Sequence, residues 1–154
     1  MKNSRLLLFS LIVATLTFSG CDKQETDCGF LSFETVDFRN YPSLGIVNGD
    51  EEDKYLVINS KAEFDEKVFI SEEDKERFHL DYNKYTLLLG KKRIGGIPGG
   101  LISQTWQKEC GSTNYIYKVD IKNGGYTALG NFYFGIIVDK VSADEVMFDV
   151  NLSE

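Results

Sequence analysis

Three cysteines, a single histidine and a glycine-rich stretch are the residues of this sequence whose types could support chemistry. The cysteines are Cys21, Cys28 and Cys110, and the histidine is His79. A Ser–His–Asp or Cys–His mechanism would have to use His79, yet no nucleophile motif such as GxSxG accompanies it. The scattered cysteines and the histidine also lack the ligand spacing of a zinc site. We therefore predict no catalytic residues, no metal and no cofactor.

The stretch RIGGIPGG, residues 93–100, has the glycine content of a phosphate-binding loop. A P-loop needs GxxxxGK[ST] between a strand and a helix, because the lysine and the helix N-terminus hold the phosphates. Here Gly100 is followed by Leu101 and Ile102 in a predicted strand, which argues against phosphate and dinucleotide binding. Pro98 and Gly99 instead fit a type II turn, which predicts a structural hairpin loop.

The alternative for this stretch is a partner-binding loop, because glycine lets a partner approach the backbone closely. The candidate contact residues are Arg93, Ile94, Gly95, Gly96, Ile97, Pro98, Gly99 and Gly100, together with Trp106 from the following strand. Trp106 lies among polar residues, so it either packs in the core or is half-exposed as a contact residue. The basic run 91–93 just before the glycines is typical of an edge strand kept soluble by lysines.

The first 21 residues have the layout of a signal peptide. Two basic residues precede an apolar stretch from Leu6 to Phe18, which is too short and too early for an ordinary membrane span. It ends in FSGC, residues 18–21, which resembles the lipobox of bacterial lipoproteins except that Phe18 stands where Leu is usual. The resemblance implies that Cys21 carries fatty acyl chains such as palmitate and becomes the N-terminus. The alternative is a plain secretory signal.

We predict a signal peptide over residues 1–20, a polar tether over 21–28 and a single β-rich domain over 29–154. The tether sequence DKQETD after Cys21 resembles the export signal of surface-exposed lipoproteins, which favours display on the cell surface. We expect a bacterial cell-envelope protein held at the outer membrane by lipid. No later stretch reaches the roughly 18 continuous apolar residues that a membrane span needs.

Composition narrows the class of partner. Removing residues 1–20 takes away two positive charges and leaves 15 basic against 24 acidic residues, a net charge of −9. An acidic surface without a basic patch repels phosphate backbones, so we expect no nucleic-acid partner. The 11 phenylalanines and 8 tyrosines suit a β-rich fold.

Cys28 and Cys110 remain for pairing once Cys21 is lipidated. A disulfide persists outside the cytosol, and this one would close a long loop, for which the chain-entropy model predicts roughly 4 kcal/mol or more. We favour the bridge over two separate buried thiols.

The sequence predicts an antiparallel β-sandwich or open barrel of about seven strands with one short helix, over about residues 61–69. Ser60 and Glu63 form a capping box at the start of that helix, and a second helical turn is left open at 71–78. The predicted strands cover 29–38, 55–59, 85–92, 101–109, 113–122, 132–141 and 145–152. The turn at 110–112 makes the fourth and fifth of these a hairpin.

Four stretches carry a resemblance to a known family: VINSKAEF at 57–64, LDYNKYTLL at 80–88, the glycine-rich turn 95–100 and IIV at 136–138. With them, residues 55–152 look like the C-terminal domain of PrcB-type protease-complex subunits. The family usually has an Arg-Pro-Thr-Gly-Gly-Tyr-like turn where this chain has IPGGL. The resemblance implies a non-catalytic, β-rich envelope domain that binds or stabilises another protein, such as a protease.

Three other functions have their own structural signatures. A small protease inhibitor would present glycine-rich hairpin loops, with the tips at 94–100 and 123–130 at one end of the fold. A glycan- or small-ligand-binding lipoprotein would expose Trp106 in a concave patch with Tyr115 or Tyr117. An enzyme would need a pocket around His79 with a carboxylate and a hydroxyl in reach, and we expect none.

Overall fold

The computed structural model describes residues 28–47, 53–95, 100–124 and 129–153. The predicted signal peptide and all of the tether except Cys28 lie outside these ranges. Within them, no helix has the length and apolar character needed to cross a membrane.

The described residues form ten strands, two α-helices and one 3-10 turn. The strands are β1 (Gly29–Phe30), β2 (Glu34–Thr35), β3 (Gly45–Ile46), β4 (Lys54–Ile58), β5 (Val68–Phe69), β6 (Tyr85–Gly95), β7 (Gly100–Lys108), β8 (Tyr115–Lys122), β9 (Leu129–Asp139) and β10 (Val146–Ser153). The helices are α1 (Lys61–Lys67) and α2 (Glu72–Arg77), and the 3-10 turn is Ala143–Glu145.

Two four-stranded sheets form the body of the fold. The first sheet has the order β1-β7-β8-β10 and the second has β2-β9-β6-β4, while β3 and β5 pair separately. The strand-rich, sandwich-like α+β architecture predicted from the sequence is confirmed. One pairing departs from the antiparallel prediction, because β10 runs parallel to β8. The connection at 140–145 carries the chain from the second sheet to the first, so β9 and β10 are not a hairpin.

The second sheet is buried on both faces. Leu88, Phe134 and Ile136 face the first sheet, whereas Leu87 and Leu89 pack under the helices and the segment 36–47. Apolar runs without alternation are what a central strand requires, and β6 and β9 are the two central strands of this sheet. The first sheet has one solvent-exposed face, as the alternation along β8 predicts.

Local capping fixes where α1 begins, and tertiary pairing fixes where it ends. The Ser60 hydroxyl accepts a hydrogen bond from the Glu63 amide at 3.1 Å, and the Glu63 carboxylate accepts one from the Asn59 amide at 2.7 Å. The helix ends at Lys67 rather than near 69, because the next two residues form β5 and pair with β3. The second helical turn that the sequence leaves open at 71–78 forms as α2, with its own N-cap at Ser71.

The glycine-rich stretch does not join two strands of a hairpin. It connects β6, in the second sheet, to β7, in the first, so the predicted hairpin loop is a crossover between layers. The segment after β8 is a second crossover, which returns the chain to β9. The hairpin predicted around Cys110 is confirmed, because β7 and β8 pair along their length.

Gly90 lets an aromatic ring lie flat on the second sheet. It pairs with Phe134 on β9, and a Cβ at Gly90 would lie 2.1 Å from the ring. We expect Gly90→Ala to lower the free energy of unfolding by roughly 2–3 kcal/mol through overpacking. Gly95→Ala on the same strand is the control, because nothing lies within 4 Å of its added Cβ. Equal stabilities of the two variants in urea unfolding would contradict this packing.

Candidate functional site

The N-terminal segment, residues 28–38, closes part of one side of the sandwich. Cys28 is disulfide-bonded to Cys110, with their Cα atoms 4.9 Å apart, which confirms the predicted bridge. From there β1 pairs with the end of β7, and the Leu31 amide donates to the Trp106 carbonyl at 2.8 Å. The segment then crosses to the second sheet, where β2 pairs with β9 and the Val36 amide donates to the Gly135 carbonyl at 3.0 Å.

Beyond these pairings the same side of the sandwich is open. We call the gap between β7 residues 100–105 and β9 residues 130–134 the open seam. It contains a groove of about 740 Å³, which has mainly apolar side chains on its walls: Leu101 from β7, Phe132 and Phe134 from β9, and Val36 and Phe38 from the N-terminal segment. The opposite side, between β4 and β10, is filled by the stacked rings of Tyr55 and Phe148, whose centroids are 5.3 Å apart.

Two strand edges face each other across the open seam. Residues 100–105 pair with β8 on one side and residues 130–134 pair with β6. On the seam side, no backbone hydrogen bond among the described residues reaches residues 100–105 or 130–132. An edge of this kind presents a row of backbone N–H and C=O groups that can pair with another extended chain. Each stretch spans roughly 17–20 Å, the length of an ordinary strand.

Both crossovers between the sheets lie at one end of the fold, next to the open seam. Gly95 pairs with Leu129, and Gly100 pairs with Lys122, so the segments 96–99 and 125–128 start and finish at the same end. The tips themselves, including Gly96, Ile97, Pro98 and Gly99, lie outside the described residues. Leu101 and Ile102, directly after the glycines, are exposed.

The other candidate contact residues are divided between surface and core. Arg93 is exposed, whereas Ile94 is buried between the sheets. Asp53, the residue before β4, holds the backbone of this part of β6. Its carboxylate accepts hydrogen bonds from the Arg93 amide at 2.8 Å and from Lys92 Nζ at 2.5 Å. Burial raises the pKa of Asp53, but these two hydrogen bonds outweigh it and the net pKa is lowered. The loop end therefore keeps an ionised carboxylate at neutral pH.

Trp106 is a core residue. It is only 2% exposed and stacks on Tyr115 with ring centroids 5.0 Å apart. Tyr117, which donates a hydrogen bond from its hydroxyl to Gln104, is fully buried. The alternative in which Trp106 is half-exposed as a contact residue is therefore wrong, and the aromatic patch expected for glycan binding is not formed by these residues.

His79 lines a separate cleft, although no pocket around this residue is expected from the sequence. The cleft has a volume of about 470 Å³ and includes Glu34, Asp81, Asp139 and the hydroxyl-bearing Tyr41. His79 is exposed, and among the described residues no hydrogen bond links its imidazole to a carboxylate or hydroxyl. The cleft therefore contains an imidazole, carboxylates and a phenol hydroxyl without the hydrogen bonds that couple a nucleophile to its base.

Sequence reasoning missed the open seam, because the pairing partners of strand edges are not encoded locally. The exposed pair Leu101–Ile102 after the glycine run was the one usable signal. No cluster of three or more histidine, cysteine, aspartate or glutamate side chains suited to a metal ion occurs in the described part of the chain.

Comparison with known proteins identifies no relative of this chain. The chain matches no protein-family model, no curated protein and no solved structure.

Proposed function

We propose that this protein is a lipid-anchored, non-catalytic component of the bacterial cell envelope that binds another protein through the open seam. The observation that carries the proposal is the pair of strand edges, residues 100–105 and 130–132, that have no neighbouring strand among the described residues and lie on either side of an apolar groove. An extended segment of a partner would satisfy the backbone groups of both edges and bury alternate side chains in the groove. This mode of binding needs no catalytic residue and no cofactor.

The anchor is supported by the sequence alone. The leader ends in a lipobox-like FSGC, and Cys21 is then the lipidated residue. The Cys28–Cys110 disulfide is consistent with a compartment outside the cytosol, where such bonds persist. The acidic tether favours an outer-membrane location with display on the surface. The resemblance to PrcB-type subunits makes a protease complex the first class of partner to test.

Crosslinking capture from native membranes tests the binding site. Leu101 lines the groove and is partly exposed, so Leu101→Asp should place an uncompensated charge in the interface without unfolding the domain. We expect this variant to lose more than about tenfold in captured partner, since a buried unpaired charge destabilises an interface by several kcal/mol. Phe69→Asp is the control, because Phe69 is exposed on β5, away from the seam.

Thermal melts of the three proteins establish that each variant is folded. Equal capture by the Leu101→Asp variant, or recovery of bound glycan without any protein, would overturn the proposal.

A protease inhibitor is the second candidate, and one observation favours it. The two crossovers lie at one end of the fold, as loops that enter a protease cleft would. The captured protein distinguishes the two functions: a protease that stays active in the complex has a binding subunit, whereas one that loses activity has an inhibitor.

A further inference from the structure

The outer face of the first sheet carries an apolar row at its disulfide end. Phe30 pairs with Gln107, Gln107 with Ile116, and Ile116 with Met147. Paired residues point to the same face, so these four side chains form one row across all four strands, which we call the apolar row. Phe30 is 77% exposed and Met147 is 43% exposed. A phenylalanine exposed to this extent beside other apolar side chains requires an explanation.

The remainder of that face is polar. The next row along the strands contains Thr105, Lys118 and Asp149, and the one after it contains Ser103, Asp120 and Asn151. In the second of these rows the Ser103 hydroxyl donates to Asp120 at 2.6 Å. Among these three rows, the apolar side chains therefore lie in the one nearest the end of the sheet where the chain enters the domain.

The length of chain before the domain limits where this end can lie. Cys28 is fixed to Cys110, and Phe30 follows two residues later. Only six residues separate Cys21 from Cys28, and a fully extended chain of this length reaches about 25 Å. A lipid on Cys21 therefore keeps the disulfide end of the first sheet within that distance of the membrane.

We propose that the apolar row lies against the lipid surface and orients the domain on the membrane, an inference that rests on lipidation of Cys21. The row contains no charged residue, so its occupant is the apolar boundary of the bilayer rather than anionic headgroups. The short tether raises the local concentration of lipid around the row, so three apolar side chains suffice to orient the domain. β7 has nine residues and spans roughly 27–30 Å, so a domain that stands on its disulfide end holds the open seam away from the membrane.

Fluorescence quenching in phosphatidylcholine vesicles tests the orientation. The lipidated full chain carrying Phe30→Trp is reconstituted with brominated phosphatidylcholine, and Ile102→Trp, at the far end of β7, is the control. Because interfacial side chains enter about 5–10 Å into the headgroup region, the emission that Phe30→Trp adds to that of the native Trp106 should fall by roughly half. The introduced Trp at 102 should lose almost none. Half-molar salt should leave both results unchanged, because the contact is apolar.

Flotation of the same vesicles separates the two claims. Wild type and both tryptophan variants should float with the lipid, whereas Cys21→Ala should not. Failure of wild type to float overturns the anchor and the orientation together. Flotation without quenching at residue 30, or with equal quenching at residue 102, overturns the orientation alone. A row covered by a protein partner instead gives flotation without quenching at residue 30, since the vesicles contain no other protein.

Discussion

Loss of the Cys28–Cys110 disulfide is expected to lower the free energy of unfolding by about 4.5 kcal/mol, because the bridge closes a loop of 82 residues. The bridge also holds β1, which pairs with β7 through two residues only. Without it, β1 depends on these pairs and on the hydrogen bond from Leu31 to Trp106, whereas β2 and Val36 stay attached to β9. Urea unfolding of a Cys28→Ala/Cys110→Ala variant measures the change by linear extrapolation.

Reduction of the wild type provides the matched control for this variant. A reductant should bring the wild type to the stability of the double variant and should leave the variant unaffected. A loss below about 1 kcal/mol would show that the unfolded chain is already restricted without the bridge.

Replacing Lys91 by methionine is expected to stabilise the protein by about 1–4 kcal/mol, the range found when buried ion pairs are replaced by apolar side chains of similar volume. Lys91 is 0% exposed, and its Nζ has no hydrogen-bond partner among the described residues. Burial of an ammonium group without partners is unfavourable, and methionine preserves most of the side-chain volume. Urea unfolding of Lys91→Met measures the gain.

The neighbouring lysine is the control for that substitution. Lys92 forms an ion pair with Asp53, so Lys92→Met should be neutral or destabilising by up to about 1 kcal/mol. A Lys91→Met variant less stable than wild type would mean that Nζ has a partner in solution. Lys91 does interact electrostatically with Asp53, whose pKa it helps to lower.

Lys91 also shows where sequence reasoning fails. The basic run 91–93 is typical of an edge strand, yet the strand that contains it, β6, lies between β9 and β4. The period of two along β6 places Lys91 on the same face as Leu87 and Leu89, both of which are buried. The alternation along β6 therefore predicts a buried Lys91, whereas the general preference of lysine for edges and solvent predicts an exposed one.

Features determined by neighbouring residues were predictable. The start of α1 follows from its capping box, and the β7–β8 hairpin follows from a short turn between two alternating segments. Features determined by distant partners were not: β5 ends α1 early, β10 joins β8 in parallel, and β6 and β7 separate into different sheets. The open seam belongs to this second group, because it exists only where the N-terminal segment leaves β7 to pair with β9.

The lipid anchor, the binding partner and the resemblance to PrcB-type subunits remain predictions. They are mutually consistent with the placement of the described residues. The disulfide end follows the tether, while the open seam and the crossovers lie at the opposite end of β7, where a partner has access. An anchored binding protein needs this separation of its attachment from its interface.

Backbone hydrogen exchange of the full chain, measured alone and in complex with the captured partner, tests whether the partner binds as an added strand at the open seam. We expect slower exchange of the seam-facing amides in residues 100–105 and 130–134. The amides on the outer edge of β10, the other long strand edge of the first sheet, should exchange at unchanged rates. Protection confined to β10, or the absence of new protection in both seam strands, would contradict binding by strand addition at the open seam.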